Sequence, residues 1–373
     1  MNFELTDEQQ QLADSVRKYL GNSYGFEARK AIIQSPSGVG DKVWATFAEL
    51  GLTAMTLPEA DGGFGGGAMD LLAVMQACGE ALVVEPLLDN VGLAGRLLAR
   101  AGNDAQRSAW LPGLADGSVQ LAFASVEPGH RYELAPQTTT VTSHADGWAL
   151  NGEKCVVIGA PTATRLIVSA SNGSGASLFL VDPKAEGVTL KAYRTVDGLR
   201  AADIRFSHVK LSADALLGTA GEALPLIEEA VDFATALLCA DAVGAMQHAC
   251  DATLDYIKTR KQFGVPIGSF QALQHRMVDM VIATEEARSM SILAAAKVDD
   301  TSISASERGR AISAAKVKIA ESAKRVREEA VQLHGGMGMT EELKVSHTFR
   351  RLTMAAQRFG DADHHLERYA ALG

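Results

Sequence analysis

The chain has 373 residues, more than one hydrophobic core usually organises, so two or three packed subdomains are expected. Hydrophobic residues make up 47% and charged residues 21%, which excludes a disordered chain. The net charge of -10, with no long basic run, gives nucleic acid little electrostatic purchase.

The N-terminus, Met1 to Glu8, is acidic and polar, unlike a signal peptide. No apolar stretch reaches the roughly 20 residues that a bilayer span needs. Cys78, Cys155, Cys239 and Cys250 are scattered without a Cys-x-x-Cys pair, so buried free thiols in a reducing cytoplasm are expected.

Residues 1–116 read as a helical domain. Thr6 followed by Glu8, with Leu12, Val16 and Leu20, predicts a capped amphipathic first helix. A second helix runs from about Lys42 to Leu50 and stops at Gly51. Met69 to Val83 reads as a buried helix, and Leu87 to Ala101 and Ala105 to Leu111 complete the domain. Between them, Asp61 to Gly67 is glycine-rich but lacks the Gly-Lys-Ser/Thr ending of a phosphate loop, so a flexible connection is expected.

Residues 117–215 change to period two. Short β-type runs lie at Leu121–Ala124, Thr138–Thr142, Trp148–Leu150, Cys155–Ile158, Leu166–Ser169, Leu178–Val181 and Ile204–Phe206, punctuated by Gly, Pro, Asn and Asp. Asn151-Gly152 predicts a hairpin. Short strands without intervening helices argue for a small antiparallel β domain, not a doubly wound sheet.

Residues 216–373 return to helical period. Ile312, Ile319, Val326, Ala330 and Leu333 form one stripe, and Leu273, Met277, Met280/Val281 and Ala287 another. The helix starting near Glu222 is rich in small residues, from Ala234 to Ala245, which permit close packing. Long helices with short joints predict an antiparallel bundle. The whole is an α+β chain: N-terminal helices, a small antiparallel β domain, then a helical bundle.

Three segments carry chemistry-bearing residues. Arg260-Lys261-Gln262-Phe263-Gly264 follows one helix and precedes another at Phe270-Gln271; Arg260 suits either a helix C-terminus or a diphosphate. Gln332-Leu333-His334-Gly335-Gly336 closes a helix and lets backbone amides approach a ligand, or is a plain helix–helix turn. Gly360 to His365 has the residue types of a metal site, but no separated His/Cys cluster supports one, and Asp361 and Asp363 are accounted for by capping a last helix at 362–371.

Together these segments resemble the acyl-CoA dehydrogenase family nearly end to end. The resemblance rests on Phe3 to Gln9, on Leu57-Pro58-Glu59 with Gly62–Gly65, and on Glu127-Pro128-Gly129 with Asn151-Gly152-Glu153-Lys154. Its most specific parts are Arg260 to Gly264 with Phe270-Gln271, and Gln332 to Gly338. It implies helical, β and four-helix-bundle domains, an FAD cofactor and an acyl-CoA substrate. It also implies that Arg260, Gln262, Phe263, Phe270, Gln271, Gln332, Leu333, His334, Gly335 and Gly336 reach a neighbouring subunit's FAD.

The flavin-ring half of the family pattern is altered. Glu127-Pro128-Gly129 continues as His130-Arg131-Tyr132-Glu133, where the family has small residues. Val126 stands where it has a hydroxyl residue, and Val156-Val157-Ile158 where it has Trp-Ile-Thr. In the family a carboxylate removes the α-proton of a thioester while hydride passes to flavin. Counting from Gly335, the base position falls on Phe359 before Gly360. The alternative position falls on Ala234, with Thr235 beside it. Asp361 and Asp232 are each two residues away.

The tail Phe359 to Leu366 and the loop Gly62–Gly67 resemble small subunits of pimeloyl-CoA dehydrogenase-type enzymes, related to α2β2 enzymes of steroid side-chain breakdown. This implies an accessory subunit, partnered by a larger catalytic subunit, desaturating a bulky or dicarboxylic acyl-CoA. Electrons would leave through an electron-transfer flavoprotein, and the chain alone would form a homodimer or tetramer. Two other expectations stand beside it: a self-sufficient homo-oligomeric dehydrogenase using Asp361 or another carboxylate, and a flavin-dependent monooxygenase on the same fold.

Overall fold

The computed structural model describes residues 5–373. Phe3 and Glu4, which open the resemblance above, lie outside them. The first described elements are α1 (Asp7–Ser23), α2 (Phe26–Gln34), α3 (Asp41–Glu49), α4 (Ala68–Ala81), a π-helix (Leu88–Gly95), α5 (Arg96–Ala101) and α6 (Asp104–Ala115). Strands follow: β1 (Leu121–Ala124), β2 (Thr140–His144), β3 (Gly147–Ile158), β4 (Arg165–Ser171), β5 (Ala176–Val181), β6 (Val188–Arg194), β7 (Arg200–Ser212) and β8 (Leu216–Leu217). Then come α7 (Leu224–Thr259), a hairpin of β9 (Lys261–Gln262) and β10 (Val265–Pro266), α8 (Gln271–Asp299), α9 (Ala305–His334), α10 (Lys344–Gln357) and α11 (Ala362–Ala371). The order is the expected one of helices, a β domain and a helical bundle.

Two compact units are formed. One contains the chain up to Lys30, Ala68–Val83 and Thr235–Gly373; the other contains Ala31–Gly67 and Val84–Ala234.

The first unit is helical. Thr6 caps α1, but the capping box closes with Gln9, not Glu8, because the reciprocal contact needs the third residue on. On α9, Ile312, Ile319, Val326, Ala330 and Leu333 are all buried. On α8, Met280 points inward and Val281 is exposed, which resolves that pair of candidates. Glycine lets α4 and α7 touch backbone to backbone: a Cβ on Gly244 would lie 1.9 Å from the Gln76 carbonyl oxygen, and one on Gly79 1.9 Å from that of Asp241. Any side chain at either position would force the helices apart. The Asp241 carboxylate takes two hydrogen bonds from Arg351 of α10, at 2.9 and 2.8 Å.

The second unit is built on a sheet ordered β6-β7-β3-β2-β4-β5-β8, with β1 beside β4. Its pairings are antiparallel except that β1 runs parallel to β4 and Thr140 of β2 meets Ser171 of β4 in parallel. Leu150, Val157, Leu166, Val168, Phe179, Ile204 and Phe206 are among the residues of its core.

The expected Asn151-Gly152 hairpin is absent. β3 runs unbroken through both residues, and the β2–β3 turn lies at Ala145-Asp146, with His144 opposite Gly147. Gly152 is needed for a different reason: φ is 141°, and a Cβ there would lie 2.6 Å from Thr139 Cα. The glycine marks a register shift within a strand, a use that Asn-Gly shares with turns. The glycine-rich 62–67 segment is also more ordered than a flexible connection. Gly63, Gly65 and Gly66 donate backbone hydrogen bonds to Pro58, Leu57 and Met55.

Candidate functional site

In the second unit, Glu127 and Lys154 join two of the sequence motifs. The Glu127 carboxylate accepts from the backbone N–H groups of Gln137, Thr138 and Thr139 at 2.9, 2.7 and 2.9 Å, and from the Thr138 hydroxyl at 2.9 Å. Lys154 is fully buried, and its Nζ donates to Glu127 Oε1 (3.0 Å), the Ser125 carbonyl (3.0 Å) and Ser169 Oγ (3.1 Å). Every donor of the ammonium is therefore matched. Burial draws the Lys154 pKa down to about 8, against the pull of Glu127. Burial opposes ionisation of Glu127 too, yet the neighbouring ammonium and the hydrogen bonds hold its carboxyl well below the usual range.

This buried pair fixes the strip that begins at Val126. Val126 is 37% exposed, and its carbonyl accepts from the Cys155 N–H at 2.8 Å. β3 then bulges between Lys154 and Val157. Val156, 44% exposed, sits at φ +53°, a left-handed conformation that costs a β-branched residue about 1–3 kcal/mol. Its N–H donates to Asp203 Oδ1 at 3.2 Å, and the same oxygen accepts from the Tyr193 hydroxyl at 2.8 Å. Ile158 turns away into an apolar cluster with Ile33, Val84, Leu199 and Ala201. Asp203 and Tyr193 carry no recognisable motif, so sequence reading alone does not find them.

In the first unit, α7 ends at Thr259 and leaves Arg260 exposed. Phe263 and Gly264 both have positive φ (56° and 81°), the two-residue turn that suits a tight hairpin. The Phe263 ring is 90% exposed and makes an edge contact with Phe270, with centroids 6.0 Å apart. Gln262 and Gln271 are exposed on either side. At the end of α9, Gln332, Gly335 and Gly336 are exposed while Leu333 and His334 are buried. A Cβ on Gly335 or Gly336 would meet nothing within 4 Å, so internal packing does not require these glycines.

The 260 and 332–336 segments come together through a residue that the motifs do not include. Tyr256, one turn before Arg260, stacks on His334 with ring centroids 4.4 Å apart. His334 Nδ1 donates to the Ala330 carbonyl at 2.8 Å, and burial lowers its pKa, so the ring stacks as a neutral imidazole.

The positions where a base was expected hold none. Ala234 is fully buried. Phe359 occupies the α10–α11 turn at φ +58°, with the Arg358 guanidinium 4.9 Å from its ring centroid. That turn is clamped from α9: buried Lys316 donates to the carbonyls of Ala356 (3.1 Å) and Gly360 (2.6 Å). His365 Nε2 donates to the Phe359 carbonyl at 3.0 Å, leaving Nδ1 to accept from Ser313 Oγ at 3.2 Å. Asp361 is the N-cap of α11 and accepts from the His364 N–H at 3.0 Å. Asp232 lies buried in α7. Among the described residues, no three His, Cys, Asp or Glu side chains group to hold a metal.

The sequence matches the acyl-CoA dehydrogenase N-terminal domain over residues 6–118, the middle domain over 122–212 and the C-terminal domain over 223–371. It is 32% identical over 362 residues to the acyl-CoA dehydrogenase FadE12 of Mycobacterium tuberculosis (strain ATCC 25618 / H37Rv), covering 92% of this chain and 90% of that one. This chain belongs to the acyl-CoA dehydrogenase family. Two solved structures are similar to it. One is the ChsE4-ChsE5 complex from Mycobacterium tuberculosis, with TM-score 0.91, 25% identity and 100% and 98% of the two chains covered. The other is a variant of the Tcur3481-Tcur3483 steroid ACAD, with TM-score 0.88, 30% identity and 98% and 97% covered.

As an acyl-CoA dehydrogenase the chain is an oxidoreductase acting on acyl-CoA, with FAD as the cofactor. The exposed face of the first unit fits a dinucleotide: a guanidinium for phosphate oxygens, a bare aromatic ring, and glycine backbone open to approach. The Val126–Ile158 strip fits a flavin ring poorly. Its Val126 and Val156 side chains are apolar, and its N–H at Val156 is already taken. Among the described residues, no helix is long and apolar enough to cross a membrane.

Proposed function

We propose that this chain is the accessory subunit of a heteromeric acyl-CoA dehydrogenase, completing the FAD site of a larger catalytic subunit. The observation that carries this is the split between its two faces. Arg260, Gln262, Phe263, Gln271 and Gln332–Gly336 stand intact, most of them exposed, while Phe359 and Ala234 supply no base. A phenyl ring and a methyl group cannot take an α-proton. The partner subunit supplies the carboxylate, and FAD bound between the chains supplies the hydride acceptor for α,β-desaturation.

The pairing of ChsE4 with ChsE5, and of Tcur3481 with Tcur3483, supports a two-chain assembly. The second of these is a steroid ACAD, which favours a bulky acyl-CoA as the substrate class. An electron-transfer flavoprotein would be the electron acceptor of the assembled enzyme. A self-sufficient enzyme using Asp361 is disfavoured, since that carboxylate already caps α11.

The test is the visible spectrum of the protein purified alone, with released flavin measured per chain. A colourless chain that gains flavin and acyl-CoA turnover with a partner is expected. Near-stoichiometric FAD in the lone chain, bleached by an acyl-CoA, would overturn the proposal.

A further inference from the structure

We infer that Asp203 closes the Val126–Ile158 strip of this chain to a flavin ring; the inference rests on the accessory-subunit reading and names the residue that enforces it. Three strands meet at this carboxylate. β7 carries Asp203, β6 brings the Tyr193 hydroxyl, and the bulge of β3 brings the Val156 N–H. The pyrimidine edge of a flavin presents two carbonyl oxygens around one N–H, so a protein holds it mainly with donors. The side chains of Val126 and Val156 have none. The Val156 amide, left outward by its strained backbone, is turned into Asp203 instead.

A carboxylate is an acceptor only, so it cannot replace the donor that it takes. Its charge also opposes the negative charge that a flavin gains on reduction. The Lys154 ammonium is enclosed by Glu127, Ser125 and Ser169, and of the charges across the strands Lys191 lies opposite Asp203 and Arg205 opposite Glu153, so the loss of a donor weighs more than charge. Tyr193 steadies the arrangement: its hydroxyl donates to the oxygen that holds Val156, which keeps the carboxylate facing the bulge.

The experiment titrates FAD into the purified lone chain and follows flavin fluorescence, comparing wild type with Asp203→Ala and Asp203→Asn. Asp203→Ala removes the charge and the stronger of two acceptors, leaving the Val156 N–H only the Tyr193 hydroxyl, and tightens FAD binding up to roughly tenfold, the scale of one hydrogen bond. Asp203→Asn keeps an acceptor for Val156 and Tyr193 but loses the charge, and falls between Asp203→Ala and wild type. A residue that merely pinned the bulge would not produce that order, and Asp203→Asn carries the test if Asp203→Ala does not fold. Two folded variants that bind FAD no better than wild type would overturn the role of Asp203 and leave the accessory-subunit reading standing. Stoichiometric FAD in wild type would overturn both.

Discussion

The end of α7 and the bulge of β3 are both places where a helix or strand gives way to a short irregular stretch, yet they treat their polar groups in opposite ways. Around Arg260 the exposed groups are left available, and the rings behind them, Tyr256 and His334, hold each other. Around Val156 the backbone groups are taken up internally by Cys155 and Asp203. A binding face is recognised by what its scaffold leaves unused. In the proposed reading one face is scaffolded to be used and the other to be self-contained.

Five substitutions probe this contrast. The largest effect is expected from Lys154→Met, which leaves Glu127 ionised, buried and without its cation. A loss of about 3–5 kcal/mol in chemical denaturation is expected. Next, Arg260→Ala is expected to weaken FAD binding by the assembled enzyme roughly tenfold to a hundredfold, the range for a charge-assisted contact. Its denaturation midpoint should not move, because Arg260 is exposed; a shift there would make it a structural cap instead.

Acid titration comes third. The depressed pKa of Glu127 contributes stability that is present above its unfolded value, about 4.3, and is lost as the pH falls below it. Wild type therefore loses stability steeply below about pH 4.3, and Glu127→Gln shows a shallower limb from a lower starting stability. Tyr256→Leu removes the stacking on His334, worth about 1 kcal/mol, and should lower FAD affinity along with stability. The smallest effect is assigned to Asp361→Asn. Asparagine caps a helix about as well as aspartate, so turnover of the assembled enzyme should be unchanged and stability should fall only by the lost attraction to buried Lys316. A loss of turnover would restore Asp361 as a base.

Much of this is legible in the sequence because periodicity reports which face is buried. The α9 stripe from Ile312 to Leu333 and the alternation of the β domain specify the order of layers. What escapes has physical reasons. Asn-Gly serves a turn and a strand irregularity equally well, and only the approach of Thr139 decides which it is at Gly152. α2 spans only Phe26–Gln34, too short for its period to stand out. β6 is hidden because its sequence, Val188 to Arg194, carries no fully buried residue and pairs at the sheet's edge. The exposed candidates Arg260, Phe263 and Gln271 are legible through their family pattern. Tyr256, Asp203 and Tyr193 are not, since their roles arise from neighbours distant in sequence.

The Phe263 turn has a consequence for how the protein behaves outside its assembly. A phenyl ring held at a hairpin tip in water, with only Phe270 beside it, keeps nearly all its apolar surface hydrated. In the proposed two-chain assembly a chain made in excess of its partner leaves that ring uncovered. Overexpression of this chain alone should then favour self-association, and co-expression with a partner should reduce it.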